Sequence, residues 1–330
     1  MKPVVLFAVV MSLLAPISHA ATTLKIATLA PDGTSWMKAM RQAAADIQED
    51  TAGRVKVKFF PGGVQGSDKS VLRKMQIRQL QGGAVAAGSL IDIAPASQLY
   101  SLPFTFRNLN EVRTIRKEFD PYIIEQMAKA GYVVLGISEA GFAYMMSDKP
   151  IRSSSDMSDR KVWVPEGDLI GQTTFEKGNV NPVSLPISDV YTSLQTGLID
   201  TFVVNPSSAI ALQWHSKIKY VTDYPLLFLV GMIVIDDKSF AKLSAEDQAS
   251  VRAVMAKAFT AMDAQNEKDE AGARDAMAQN GIEFVELSAA DKAEWQKLAT
   301  STVEELASRE IYPVDVYRKM LQRLKEIRQE

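Results

Sequence analysis

The amino-acid sequence predicts an α/β fold in two lobes. Two observations carry this. Segments rich in β-formers alternate with segments of helical period along the first two thirds of the chain, with glycine, proline and aspartate turn signals between them. The 330 residues are also enough to build two separate cores. Taken in order, Leu24 to Ala30 alternates as a strand. Pro31-Asp32-Gly33-Thr34 is a turn that can cap a helix, in which Trp36, Met40, Ala43, Ala44 and Ile47 recur at helical spacing until Gly53. Arg54 to Phe60 alternates again and stops at Pro61-Gly62-Gly63. A helix from about Asp68 follows, with Val71, Leu72, Met75 and Leu80 inward, and 83–88 is a short apolar strand. This β-α-β-α-β order predicts a parallel or mixed sheet covered by helices.

Further strands are predicted at 132–138, 143–146, 161–165, 182–185 and 201–204, with an apolar strand or pair of strands within 224–235. Val190, Leu194 and Leu198 mark a helix that Gly197 weakens. The polar strip 151–156 reads as a connection between lobes. Ser244-Ala245-Glu246-Asp247 resembles a capping box. The helical pattern behind it runs to Asn280-Gly281, about 36 residues and about 54 Å, longer than one lobe is wide. Ile282 to Leu287 reads as a strand, and two more helices close the chain.

The first twenty residues read as a leader. Lys2 is a short positive region, Val4 to Leu14 an apolar run, and Ser18-His19-Ala20 a small-x-small cleavage site, cut after Ala20. That run is too short to span a membrane. An exported chain with no cysteine suits a bacterial periplasm or cell exterior.

Composition removes several functions. A net charge of −2 leaves no basic surplus for a nucleic-acid backbone. The absence of cysteine removes disulfides, zinc ribbons, iron–sulfur clusters and thiol nucleophiles. There is no Walker loop and no G-x-S-x-G, and Gly62-Gly63-Val64-Gln65-Gly66 lacks the dinucleotide spacing. Asp236-Asp237 reads as a turn with two solvated acids rather than a cation site. Cleavage leaves His215 as the sole histidine. A secreted hydrolase using it is the alternative function; a helix-end histidine is the simpler reading.

The run Thr51 to Gly63 resembles the second-strand motif of the DctP family, the solute-binding proteins of tripartite ATP-independent periplasmic (TRAP) transporters. Matching stretches follow in order: Gln65-Gly66 before a helix, Leu102-Pro103-Phe104 with Phe106-Arg107, Pro150-Ile151-Arg152 before Asp156-Met157, Leu194 to Asp200, and Asn205-Pro206. The resemblance spans essentially the whole chain after the leader. It implies a two-lobed periplasmic-binding-protein fold with a ligand cleft between the lobes and a long helix across both. Residues 21–145 with about 232–262 form lobe I, and 146–231 with about 263–330 form lobe II. It implies a monomeric receptor, not an enzyme, without cofactor or metal. Such a receptor hands a small organic ligand to a permease of one small and one large membrane subunit, driven by an ion gradient. A sensor role beside a membrane kinase is a further alternative.

Family ligands are mostly organic acids, held by an arginine in a Lys-Ile-Arg-Val-Pro strand. Here that strand is Lys161-Val162-Trp163-Val164-Pro165, with Trp163 in the arginine's place. Gly141-Phe142 is followed by Ala143 and Tyr144 where a second basic residue is often found, and Val203-Val204 precede Asn205 where an acid or amide is common. These departures predict a hydrophobic or weakly anionic ligand. The candidate ligand-binding residues are Trp163, Asn205, Phe142, Tyr144, Pro165, Asp32, Gly33, Gly88, Ser89 and Trp214. Core packing of Trp163 is the competing expectation.

Overall fold

The structure, a computed structural model, describes residues 21–329. The leader and its cleavage site lie outside the described residues. β1 (Thr22–Thr28), α1 (Ser35–Asp50), β2 (Val55–Phe60), α2 (Asp68–Gln76) and β3 (Gly82–Ala86) form the expected β-α-β-α-β unit, with β1 pairing in parallel with both other strands. Thr34 and Ser67 cap the two helices through hydroxyls that accept from the Met37 and Ser70 N–H groups. α3 (Leu109–Lys129) leads into β4 (Tyr132–Ser147), the longest strand.

β5 (Trp163–Pro165), α4 (Leu169–Lys177), β6 (Val183–Leu185), α5 (Ile187–Thr196), β7 (Thr201–Val204), α6 (Pro206–Ala211) and β8 (Tyr220–Thr222) build the second lobe. β9 (Leu227–Asp236) returns to the first, antiparallel to both β3 and β4. α7 (Asp237–Phe240), α8 (Ala245–Gln279), β10 (Glu283–Val285), α9 (Ala289–Ser308) and α10 (Val314–Ile327) follow. The main sheet runs β10-β8-β4-β9-β3-β1-β2, with β7 also on β4; β5 and β6 form a separate pair. One mixed sheet therefore threads both lobes.

β4 does what the sequence assigned to two strands. It pairs with β9 from Tyr132 to Ala143, then with β7 from Tyr144 to Ser147. Bulges at Val134/Gly136 and Glu139/Gly141 break its alternation, so it reads as two short strands. Gly141 sits at φ +113°, and a Cβ there would press on the Glu270 side chain. β4 thus makes the crossing that 151–156 was expected to make. That strip lies inside the second lobe, where Ile151 is buried and its carbonyl accepts from the Thr222 hydroxyl.

α8 matches its sequence reading closely. Ser244 accepts from the Asp247 N–H, and Asn280 ends the helix after 35 residues. Val251, Met255, Phe259 and Met262 lie in the core under β1, β2 and α1, while Met277 lies in the core with Trp163 and Phe202. The helix therefore spans both lobes. Leu198 is exposed rather than inward, because α5 stops at Thr196 and Gly197 turns into the left-handed region. α10 departs from the expected division of the chain. Tyr317, Met320 and Leu324 share the core of Val112, Ile115 and Ile123 on α3, and Arg328 pairs with Glu111 at 2.9 Å. The C-terminal helix thus packs on the first lobe.

Where β4 crosses between lobes it is held by charge. Arg116 of α3 reaches Glu139 at 2.9 Å, Asp120 at 3.0 Å and the Ile137 carbonyl at 2.8 Å. Asp263 of α8 accepts from the Glu139 N–H, and Asn266 of α8 donates to the Glu139 carbonyl.

Candidate functional site

A cavity of about 670 Å³ opens between the lobes. The first lobe supplies Thr28 to Pro31 after β1, the start of α1, Asp68, and Ala84 to Ala86 of β3. The second supplies Ile187, Asn205, Ser207 and Ile210 to Leu212. Ser138 and Ala140 of β4 and one flank of α8, including Phe259, Asn266, Asp269 and Ala273, close its back. The lining is largely apolar, as small-molecule sites are. Among the described residues, no arginine lines it.

Asp68 is the buried acid of the first-lobe wall. It opens α2 at 7 % exposure, and its Oδ2 accepts from the Ala86 N–H at 2.9 Å and the Ser89 hydroxyl at 3.0 Å. Burial pushes its carboxyl up to about 6, against the opposing pull of those two hydrogen bonds. Asn205 is the corresponding group opposite, at 2 % exposure. Its amide donates to the Ala140 carbonyl and the Ser207 hydroxyl at 2.8 Å, and to Glu270 of α8. Its Oδ1 is buried and receives no hydrogen bond. Burial raises the Glu270 carboxyl, opposed by bonds from Ser207 and Asn205.

Of the ten residues predicted from sequence, Asn205 lines this cavity. Trp163 is corrected to a core residue. At 3 % exposure its ring meets Trp214 edge-on at 5.1 Å, and its indole N–H donates to the Leu185 carbonyl at 2.9 Å. The ring therefore satisfies both its apolar surface and its one donor inside the lobe. Trp214 is buried with it and also touches Phe202. Pro165 ends β5 outside the cavity lining.

Phe142 and Tyr144 line a different, smaller pocket of about 250 Å³ with Arg113, Glu270 and Arg274. The α8 residues in the two linings occupy adjoining flanks of the helix, so α8 lies between the pockets. Phe142 packs on Phe228 at 5.0 Å, and Tyr144 lies under the Arg274 guanidinium at 5.1 Å. Asp32 and Gly33 sit between lining residues Pro31 and Thr34 but outside the lining, with both Asp32 oxygens turned to Arg41. Gly88 and Ser89 also lie outside it, in the turn after β3; Ser89 acts behind the wall by fixing Asp68. His215 faces the Ala209 carbonyl at 3.2 Å and does not line the cavity.

Sequence reasoning passed over Asp68, Ile187, Met232, Phe259 and Asn266. For Asp68 a signal existed: an acid in the first turn of a helix directly after a glycine-rich loop. No cluster of three or more metal-ligating side chains occurs among the described residues, and no helix among them is long and apolar enough to cross a membrane.

Comparison with known proteins bears on this cleft. Residues 26–310 match the model of the bacterial extracellular solute-binding proteins, family 7 (DctP). A solute-binding protein of Roseobacter denitrificans is 27 % identical over 298 residues, covering 88 % of this chain and 89 % of that one. The C4-dicarboxylate-binding periplasmic protein DctP of Rhodobacter capsulatus is 23 % identical, covering 78 % of each. Among solved structures, a TRAP periplasmic solute-binding protein of Xanthobacter autotrophicus with bound β-D-galacturonate superposes at a TM-score of 0.84, with 21 % identity over 92 % of this chain and 99 % of that one. One from Shewanella oneidensis with bound succinate superposes at 0.85, with 18 % identity over the same shares.

Proposed function

The chain belongs to bacterial extracellular solute-binding protein family 7, and from that premise we propose that it is the extracytoplasmic receptor of a TRAP-type, ion-gradient-driven importer. The receptor is exported after loss of residues 1–20, takes a small organic ligand into the cavity between its lobes, and hands it unchanged to the small and large membrane subunits of a permease. It works as a monomer and carries no catalytic residue. The observation that carries this reading is the 670 Å³ cavity with one wall from each lobe, backed by β4 and α8, which cross between them. Neither wall alone encloses a ligand, so binding favours closure.

The ligand is less anionic than a simple dicarboxylate: a hydrophobic or weakly anionic compound, a neutral one or a cation. This part of the proposal rests on the largely apolar lining without arginine and no longer on Trp163. Asn205 is the sequence-predicted residue that belongs to this site.

Two measurements test the reading. Extraction of the denatured protein followed by mass spectrometry should identify a co-purified small organic compound. Small-angle scattering should then show a smaller radius of gyration with that compound than after its removal by unfolding and refolding. An unchanged radius on saturation overturns the closing receptor. Turnover of the compound that is lost in His215→Ala would replace the receptor with a hydrolase.

A further inference from the structure

Two polar groups of the cavity lining, one from each lobe, offer acceptors that no donor among the described residues occupies. On the first-lobe wall, Asp68 Oδ2 is fixed by the Ala86 N–H and the Ser89 hydroxyl, both neutral, and among the described residues Oδ1 receives no hydrogen bond. On the opposite wall, the Asn205 amide nitrogen is committed to Ala140, Ser207 and Glu270, which leaves Oδ1 as an acceptor without a donor. A buried acceptor left unpaired is destabilising until something donates to it. A buried carboxylate with neutral neighbours asks for the same thing more strongly.

The other charged groups in the lining do not change the balance. They are Lys268, exposed on α8, and Asp269 beside it. Asp68 and Asp269 together therefore outnumber the one ammonium. The start of α1 adds peptide N–H groups, suited to a neutral oxygen of the same ligand but supplying only partial charge. A carboxylate ligand brought into this cleft would meet a desolvated aspartate with no guanidinium to offset it.

We propose that the ligand presents hydrogen-bond donors, as an ammonium group or as hydroxyls, to Asp68 and Asn205, and is not held through a carboxylate. The proposal rests on the receptor reading and deepens it by naming the ligand chemistry. It sets this protein apart from the solved relatives with bound galacturonate or succinate.

Calorimetric titration of the full chain, cleared of any bound compound, tests it with six probes in three arms. The amines are D-glucosamine and 1,5-diaminopentane; the neutral polyols are D-glucose and D-mannitol; the acids are D-glucuronate and succinate. The tightest binder should come from the first two arms and exceed both acids at least tenfold. An amine winner assigns the donor as ammonium, and a polyol winner assigns it as hydroxyl. A tightest binder among the acids, or silence from both donor arms at millimolar concentration, overturns the proposal. If an acid binds and compacts the protein, the receptor reading survives that failure. If no probe binds and the protein purifies without any organic compound, both fail.

Asp68→Asn is the matching variant. Its amide oxygen can still accept from Ala86 and Ser89, so the fold is retained, and thermal melting checks this. Binding of the best donor probe should weaken at least tenfold while D-glucuronate is no longer disfavoured. Unchanged affinity for the donor probe overturns the assignment of Asp68.

Discussion

The two lobes handle their demanding side chains in opposite ways. In the second lobe, Trp163 and Trp214 pack on each other, and the Trp163 N–H is already bonded to Leu185, so nothing about them waits for a ligand. In the first lobe, Asp68 is buried among neutral partners and its carboxyl is raised to about 6. The tryptophan pair is complete without a ligand, whereas the first-lobe wall holds a charge that is costly until something answers it. The lesson is that a conspicuous substitution in a motif marks the binding site less reliably than an unsatisfied polar group does.

The largest effect that can break this contrast is at Trp163. Removing a fully packed indole leaves a cavity, so Trp163→Ala should cost about 3–5 kcal/mol in denaturant unfolding. Affinity for the co-purified compound, measured on the folded fraction, should change less than threefold. A tenfold loss of affinity at unchanged stability would move Trp163 back into the cleft and erase the difference between the walls.

The seam between the walls comes next. Arg116 is the cation shared by Glu139, Asp120 and Asp263 where β4 crosses between lobes. Arg116→Met leaves Asp120 and Asp263 without this cation and Glu139 with Arg113 alone, at 3.1 Å, and should cost about 3 kcal/mol. Because the network joins α3, β4 and α8, the variant should also shift the radius of gyration of the ligand-free protein. A stable variant of unchanged radius would mean that packing alone sets the seam.

Asp68 supplies the third test, through pH. Its folded carboxyl titrates at about 6, above its ordinary value near 3.8. Between those two values the native state binds the extra proton, so this group's contribution to stability falls as pH rises through that window. Above about pH 7 the charge costs at most about 3 kcal/mol. Asp68→Asn should therefore match the ligand-free wild type near pH 3–4 and exceed it progressively up to pH 7. Comparing variant with wild type isolates Asp68 from the other raised carboxyls, Asp120, Asp168, Asp263 and Glu270. A constant difference across the range would show that the acid is not an isolated buried charge.

Elements with strong local signals were legible in advance. α8 announces itself by Ser244 at one end and Asn280 at the other, and the β-α-β-α-β unit by its alternation and glycines. β4 was split in two because bulges interrupt the period on which strand recognition depends. The face of Trp163 was not decidable from alternation, since β5 is three residues long and its position is set by Val183 to Leu185 and Thr201. Asp68 was hidden for a related reason. Its character comes from Ala86 and Ser89, eighteen and twenty-one residues away, and from burial that only tertiary packing creates. Asn205, which lines the cavity, was singled out through the Asn205-Pro206 pair of the family resemblance rather than through any local period.

The smallest effect sharpens the contrast within one wall. Asp32 lies on the same lobe as Asp68, in the loop whose flanking residues Pro31 and Thr34 line the cavity. It is exposed, and the Arg41 guanidinium takes both of its oxygens, at 3.2 and 2.8 Å. That hydrogen bond holds its carboxyl below the ordinary range, the reverse of Asp68. Its sign in a pH profile is therefore reversed: what it contributes is present at neutral pH and is lost as pH falls through its lowered value. Solvent screens such a pair, so the contribution itself is small. Asp32→Asn should leave ligand affinity within twofold of wild type and the unfolding midpoint at pH 7 within measurement error, with a slight gain in relative stability only in strong acid. If this variant instead loses affinity as Asp68→Asn does, the closed cleft reaches farther along the loop than its present lining, and Asp32 joins Asp68 as a ligand acceptor.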